Sequence, residues 1–229
     1  MATMVGLDGR FFCNCAYVAF CMAQFFSIHV NNPQPRLIRR AAAIVRDGGV
    51  IVYPTDSCYA LGCHIGDKDA MRRIREIRRV DEKHHFTLVC RDLSEISHYA
   101  RVDNRQYRLL KAATPGSYTF ILRASREVPK RLQHPKRKTI GLRVPNHAVV
   151  RQLLAEMNEP ILSSTLLLPG DEIPLNDATE IRNRLEHSVN LVVDGGSCGV
   201  EMTTVVDLTE EIPLLLRRGK GDPAVFSFQ

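Results

Sequence analysis

The chain predicts a single α/β domain built on a large mixed sheet, and two observations carry that expectation. Short apolar runs of strand type alternate with amphipathic helical stretches from residue 25 onward, with no linker, repeat or low-complexity block between them. At 229 residues, 45% hydrophobic and 24% charged, the chain can bury a sizeable core.

Taken in order, a strand is expected over 25–29. Asn32-Pro33 then opens a helix that turns Leu37, Ile38, Ala41, Ala42 and Val45 inward and Arg36, Arg39, Arg40 and Arg46 outward. Gly48-Gly49 end it. The run Val50-Ile51-Val52-Tyr53 forms the next strand and stops at Pro54, which has no N–H to give a ladder. Asp67 caps a helix reaching Arg79, with Ala70, Met71, Ile74 and Ile77 inward. A strand follows over 86–90, and Asp92-Leu93-Ser94-Glu95 is a capping-box pattern for a short helix. A helix over 103–113 closes at Thr114-Pro115-Gly116, strands follow over 118–123 and 139–144, and a helix over 146–157. The remainder reads as a strand over 161–165, a helix over 178–186, and strands over 189–193, 203–208 and 214–217.

Residues 1–21 stand apart, with one basic residue, Arg10, and an apolar stretch over 11–20 broken by Asn14. They read as an extension or a misplaced start ahead of Met22, leaving a domain over 22–229; a short signal peptide is the other reading. No run of about eighteen apolar residues is present to span a bilayer. Seven cysteines without C-x-x-C spacing point to reduced thiols and a cytoplasmic setting. The formal charge of +6 favours polyanionic partners, either nucleotide phosphates or RNA.

The most informative stretch is Val50 to Gly62, V-I-V-Y-P-T-D-S-C-Y-A-L-G. Thr55, Asp56 and Ser57 turn out where the strand stops, the edge at which open α/β sheets bind ligands. Arg72, Arg73, Arg75, Arg78 and Arg79 make a dense basic helix, read either as a solvated face or as a phosphate or RNA contact. Lys130, Arg131, Lys136, Arg137 and Lys138 form a second basic stretch in a loop, where a partner is favoured. His84-His85 reads either as an inert surface pair or as a phosphate contact, and Cys58 and Cys63 as small buried thiols. No G-x-S-x-G elbow or metal-binding histidine pair is present.

Five motifs in order resemble the YrdC/YciO family of threonylcarbamoyl-adenylate synthases and their paralogues: P-T-D-S-C-Y-A-L-G from Pro54, P-G-S-Y-T-F-I-L from Pro115, G-L-R-V-P from Gly141, T-T-V-V-D-L from Thr203 and L-L-R-R-G from Leu215. The resemblance covers Met22 to about Asp222. It is closer to the YciO branch, through M-A-Q-F-F at Met22, C-R-D-L at Cys90, R-K-T-I-G at Arg137 and L-L-L-P-G at Leu166. It implies a YrdC/RibB-like fold, a twisted mixed sheet flanked by helices, with a basic concave cavity. It also implies a reaction joining L-threonine, bicarbonate and ATP, with Mg²⁺, into threonylcarbamoyl-adenylate and pyrophosphate for the t6A modification of tRNA. Such a step needs no protein nucleophile, only anions held in line and phosphate charge neutralised.

Matched residue by residue, the resemblance places Thr55 against the amino acid and Thr119 near the nucleotide. Arg143 matches the arginine of the G-x-R-x-P strand. Thr203 and Thr204 take the place of a Ser-Thr pair, and Arg217 lies near the adenylate. Two signatures depart. The family's K-x-R-P reads Arg78-Arg79-Val80-Asp81 here, with Arg78 or Arg79 as the compensating cation. Its S-x-N reads Thr165-Leu166-Leu167, so an amide has become aliphatic. An aliphatic group cannot replace hydrogen bonds of about 0.5–1.5 kcal/mol each. The alternative is therefore a paralogue that binds nucleotide and structured RNA, tRNA or double-stranded, without efficient synthesis.

Overall fold

The computed structural model describes residues 22–82 and 84–226, so the extension expected over 1–21 lies outside the described residues. β1 (Gln24–Ser27) leads into α1 (Pro35–Arg46), whose Ile38, Ala41, Ala42 and Val45 are buried at helical spacing. The helix starts later than Asn32-Pro33 suggests. Gln34 precedes Pro35, and a residue before proline is pushed to extended backbone, here with ψ of 118°.

β2 (Ile51–Tyr53) ends at Pro54, and the chain returns as β3 (Ala60–His64), antiparallel to β2 with Tyr53 opposite Ala60. The sequence reading missed β3, because Ala60, Leu61, Gly62 and Cys63 carry no β-branched side chain. Gly62 is needed for close approach: a Cβ there would lie 2.6 Å from the Tyr53 ring and 2.9 Å from Ile161.

α2 (Lys68–Arg78) is capped by Asp67, whose carboxylate accepts from the Ala70 N–H at 2.8 Å. β4 (Thr87–Val89), α3 (Leu93–Tyr99), β5 (Ala100–Arg101) and α4 (Asn104–Ala113) follow. The box expected at 92–95 is half made, since the Glu95 carboxylate accepts from the Arg91 N–H and not from Asp92. The complete reciprocal box is Asp103 with Gln106, at the head of α4. β6 (Tyr118–Ala124), β7 (Thr139–Arg143), α5 (Ala148–Met157), β8 (Ile161–Thr165), α6 (Ala178–Leu185), β9 (Leu191–Asp194), β10 (Thr204–Asp207) and β11 (Leu214–Arg217) complete the order, close to the expected bounds.

Among the described residues the strands form one mixed sheet in the order β1–β9–β2–β3–β8–β4–β7–β6–β10–β11, with β5 beside β6. Pleating separates its two faces. Ile51 and Tyr53 pack with α1 and α5, while Val50 and Val52 join the core under α2, α3, α4 and α6. The result is the single α/β domain, a mixed sheet flanked by helices. No helix among the described residues is long and apolar enough to cross a membrane.

Candidate functional site

The turn between β2 and β3 is built by its own hydroxyls. Thr55 Oγ1 donates to the Cys58 carbonyl at 2.6 Å and accepts from the N–H groups of Ser57 and Cys58 at 3.2 and 3.3 Å. That closure fixes Asp56, and Arg143 at the end of β7 meets it. Arg143 Nη2 donates to the Asp56 carboxylate, to Ser57 Oγ at 3.0 Å and to Thr55 Oγ1 at 3.4 Å. The other Asp56 oxygen accepts from Ser117 Oγ at 2.8 Å, and Lys220 Nζ donates to the Asp56 carbonyl. Arg143 is only 7% exposed, and its Nε has no partner among the described residues.

In front of this pair lies a cavity of about 250 Å³. Most of its strand residues come in pairs two apart: Thr87 and Val89, Thr119 and Ile121, Gly141 and Arg143, Ser163 and Thr165, Thr203 and Val205; Ala60 and Ser164 line it as well. The period of two identifies one pleated face running from β8 to β10. Arg78 reaches the cavity from the last turn of α2, beside Ser164. Its Nη1 donates to Ser164 Oγ at 2.6 Å and to His84 Nε2 at 3.0 Å, and its Nε to the Leu167 carbonyl at 3.4 Å. Arg217 closes the far side, donating to the Thr203 carbonyl at 3.2 and 3.0 Å and to Thr203 Oγ1 at 3.2 Å. Thr203 Oγ1 in turn pairs with Thr119 Oγ1 at 2.9 Å.

The electrostatics are unbalanced. Among the described residues Arg143 has a carboxylate partner, whereas Arg78 and Arg217 have only neutral ones. Burial, and then the nearby charge of Arg217, lowers the Arg78 pKa; burial lowers that of Arg217. Burial, then Arg78, pushes His84 down to about 4, so its imidazole is neutral near pH 7. With Nε2 accepting from Arg78, the hydrogen-bond network puts the His84 proton on Nδ1. Burial raises the Cys58 pKa, which keeps this cavity-lining thiol protonated.

Six of the residues singled out in the sequence therefore share one cavity: Arg78, Thr119, Arg143, Thr165, Thr203 and Arg217. Thr55, Thr204 and Arg79 do not line it, and neither do Asp56 and Ser57, which lie behind Arg143. Thr55 lies behind Arg143 with its hydroxyl committed to the turn. Thr204 points to the other side of β10, where Oγ1 donates to the Gly221 carbonyl at 2.6 Å and accepts from the Gly219 N–H at 3.0 Å. Arg79 is the exposed C-cap of α2, with φ of 48°, so Arg78 is the cation that enters the cavity. Neither Val80 nor Leu167 contributes to the lining.

The sequence reading passed over Ser163 and Ser164, and of the two readings of His84 the inert surface group is corrected. Six positions beyond Arg78, it is turned inward by a bond to Ser164 at 3.0 Å. The basic helix is mostly committed as well. Arg72 pairs with Asp69 at 3.0 Å, Arg73 donates to Asn190 at 3.0 Å, and Arg75 stacks over Phe86 at 5.2 Å. In the second basic stretch, Arg131 donates to the Gly66 carbonyl and Arg137 to Asp207.

The Sua5/YciO/YrdC family model, described as "Telomere recombination", matches residues 43–219. The chain belongs to the Sua5/YciO/YrdC family. An uncharacterized protein of Haemophilus influenzae is 60% identical over 206 residues, covering 90% of this chain and all of that protein. The crystal structure of Escherichia coli YciO superposes with a TM-score of 0.86 at 56% identity, covering 90% of this chain and 100% of that one. More distant is Pyrococcus abyssi Sua5 complexed with L-threonine, with a TM-score of 0.78 at 26% identity over 85% of this chain and 57% of that one. Threonylcarbamoyl-AMP synthases are thus relatives of this Sua5/YciO/YrdC chain, at 29% identity over 185 residues for the Pyrococcus abyssi enzyme.

Proposed function

We propose that the cavity binds ATP and L-threonine and, with bicarbonate, forms threonylcarbamoyl-adenylate. One observation carries this reading: three guanidiniums converge on one cavity and two of them lack a carboxylate among the described residues, so the site calls for a multiply charged anion. Fixed guanidiniums in a partly desolvated hollow are suited to phosphate charge. The bound L-threonine of the Pyrococcus abyssi relative supports an amino acid as second ligand.

In this reading the threonine amine and bicarbonate condense to a carbamate with loss of water. A carbamate oxygen then attacks the α-phosphorus, and its bond to the pyrophosphate oxygen breaks. Arg78, Arg143 and Arg217 hold phosphate charge, while the Thr119, Thr165 and Thr203 hydroxyls orient the reactants. Among the described residues no cluster of His, Cys, Asp or Glu is placed to hold a metal. The cavity does not fit a protein-held Mg²⁺, which would travel on the triphosphate. The proposed setting is the cytoplasm, where Cys58 and Cys63 stay reduced.

A second reading is a paralogue that holds nucleotide and structured RNA without synthesis. It is favoured by Arg78, whose Nη1 and Nε already donate to Ser164, His84 and the Leu167 carbonyl, and by the exposed Lys130, Lys136 and Lys138. Pyrophosphate release from ATP, measured with and without threonine in bicarbonate buffer, separates the two. Release that requires threonine supports synthesis; none at high protein concentration overturns it.

A further inference from the structure

The two ends of the sheet are finished differently. At one end lies β1, and the chain covers both of its aromatic rings with its own cations. Arg182 sits over Phe25 at 5.4 Å and Arg40 over Phe26 at 5.7 Å. β11 forms the other end, and its apolar side chains stand in the open. Leu214 is 59% exposed, Leu216 49%, and Ile212 just ahead of the strand 62%. A single exposed leucine is ordinary, but three large apolar side chains at a spacing of two make a stripe.

The stripe is not built to extend the sheet. Pro213 has no N–H to give a ladder, and the register with β10 shifts between Val205 and Val206, so the edge is short and irregular. What it offers is side chains. Leu215 packs against the core, and Leu214 and Leu216 on either side of it are left out.

The charges at its ends say what fits it. Counted from Leu214, Ile212 stands two positions before and Leu216 two after; Glu210 stands four before and Arg218 four after. The segment is therefore complementary to its own reverse. A two-fold axis through Leu214 sets Leu214 against Leu214, Ile212 against Leu216 and Glu210 against Arg218. A parallel arrangement would set glutamate on glutamate and arginine on arginine, so the charges select the direction while the apolar stripe supplies the contact. Both charged groups are exposed and open to such pairing. Among the described residues Arg218 has no ion pair, and Glu210 has a loose one of 3.7 Å to the exposed Arg123.

We infer that this stripe docks a second copy of the chain, antiparallel about a two-fold axis at Leu214. The inference is independent of the nucleotide reading, since Ile212, Leu214, Leu216 and Arg218 do not line the anion cavity.

The test is sedimentation equilibrium of the full chain. The wild type is expected to dimerise with a dissociation constant at or below about 100 μM. Leu214→Glu, which places two carboxylates face to face on the axis, is expected to leave only monomer. Glu210→Lys and Arg218→Glu should each weaken the dimer at least about tenfold, and the double exchange should restore it. Weaker wild-type association than that overturns the inference and leaves the stripe to another occupant. A dimer that survives Leu214→Glu overturns it as well, because another surface then holds the copies. A double exchange that stays as weak as the single changes overturns the antiparallel two-fold arrangement. Melting temperatures like that of the wild type confirm that each variant is folded.

Discussion

Asp56 holds Arg143 from behind, its carboxylate gripping Nη2 while the guanidinium Nε stays buried and unpartnered among the described residues. The two side chains are 11% and 9% exposed, so the pair is nearly desolvated. Asp56→Ala would leave an uncompensated buried cation, and such losses cost about 3–5 kcal/mol. Urea unfolding at neutral pH should show a drop of that size, with a smaller one for Asp56→Asn. A change below about 1 kcal/mol would mean that the pair is solvated in solution.

Arg217 differs because no carboxylate among the described residues balances it and burial lowers its pKa. Arg217→Met should leave the melting temperature little changed, since the side chain is exposed and its hydrogen bonds go to neutral groups. The same variant should bind ATP more weakly by about 1.5–3 kcal/mol, the loss of a charged hydrogen bond. Paired melting and titration experiments check both halves. Unaltered ATP affinity would take Arg217 out of the site.

Thr203 and Thr204 make a controlled contrast on one strand. Thr204→Val removes the bonds to Gly219 and Gly221 that secure the segment after β11, and leaves buried backbone groups unpaired at about 1–3 kcal/mol. It should lower stability and spare ATP affinity in the folded protein. Thr203→Val should do the reverse, weakening ATP by about 0.5–1.5 kcal/mol. Equal effects of the two on binding would show that β10 is turned otherwise.

His84 gives a pH signature. Its pKa falls from 6.5 to about 4 on folding, through burial and then the Arg78 charge, with His85 and Arg75 adding and Asp81 opposing. Between those two values the unfolded chain binds the extra proton, so this contribution is complete above pH 6.5 and is lost as pH falls toward 4. Wild-type stability should therefore decline more steeply than that of His84→Gln across this window, as read by urea unfolding at several pH values. Parallel curves would show that His84 is solvated.

The strand and helix order was legible because burial follows periods of 2 and 3.6, and five ordered motifs sufficed for the family. β3 was not legible, since Ala60, Leu61, Gly62 and Cys63 form a strand through their neighbours and not by propensity. Within the site, the sequence narrowed Arg78 and Arg79, and Thr203 and Thr204, to adjacent pairs. Choosing between them needed the left-handed cap at Arg79 and the pleat phase at Val205. Ser164 and the bond that turns His84 inward could not be read, because they arise from a contact across 80 positions of chain.

The most direct test of the central claim is a crystal structure of the protein soaked with ATP and L-threonine. The account predicts the triphosphate among Arg78, Arg143 and Arg217, with the amino acid beside it. Triphosphate density on another face of the molecule, with these three side chains unmoved around solvent, would contradict it.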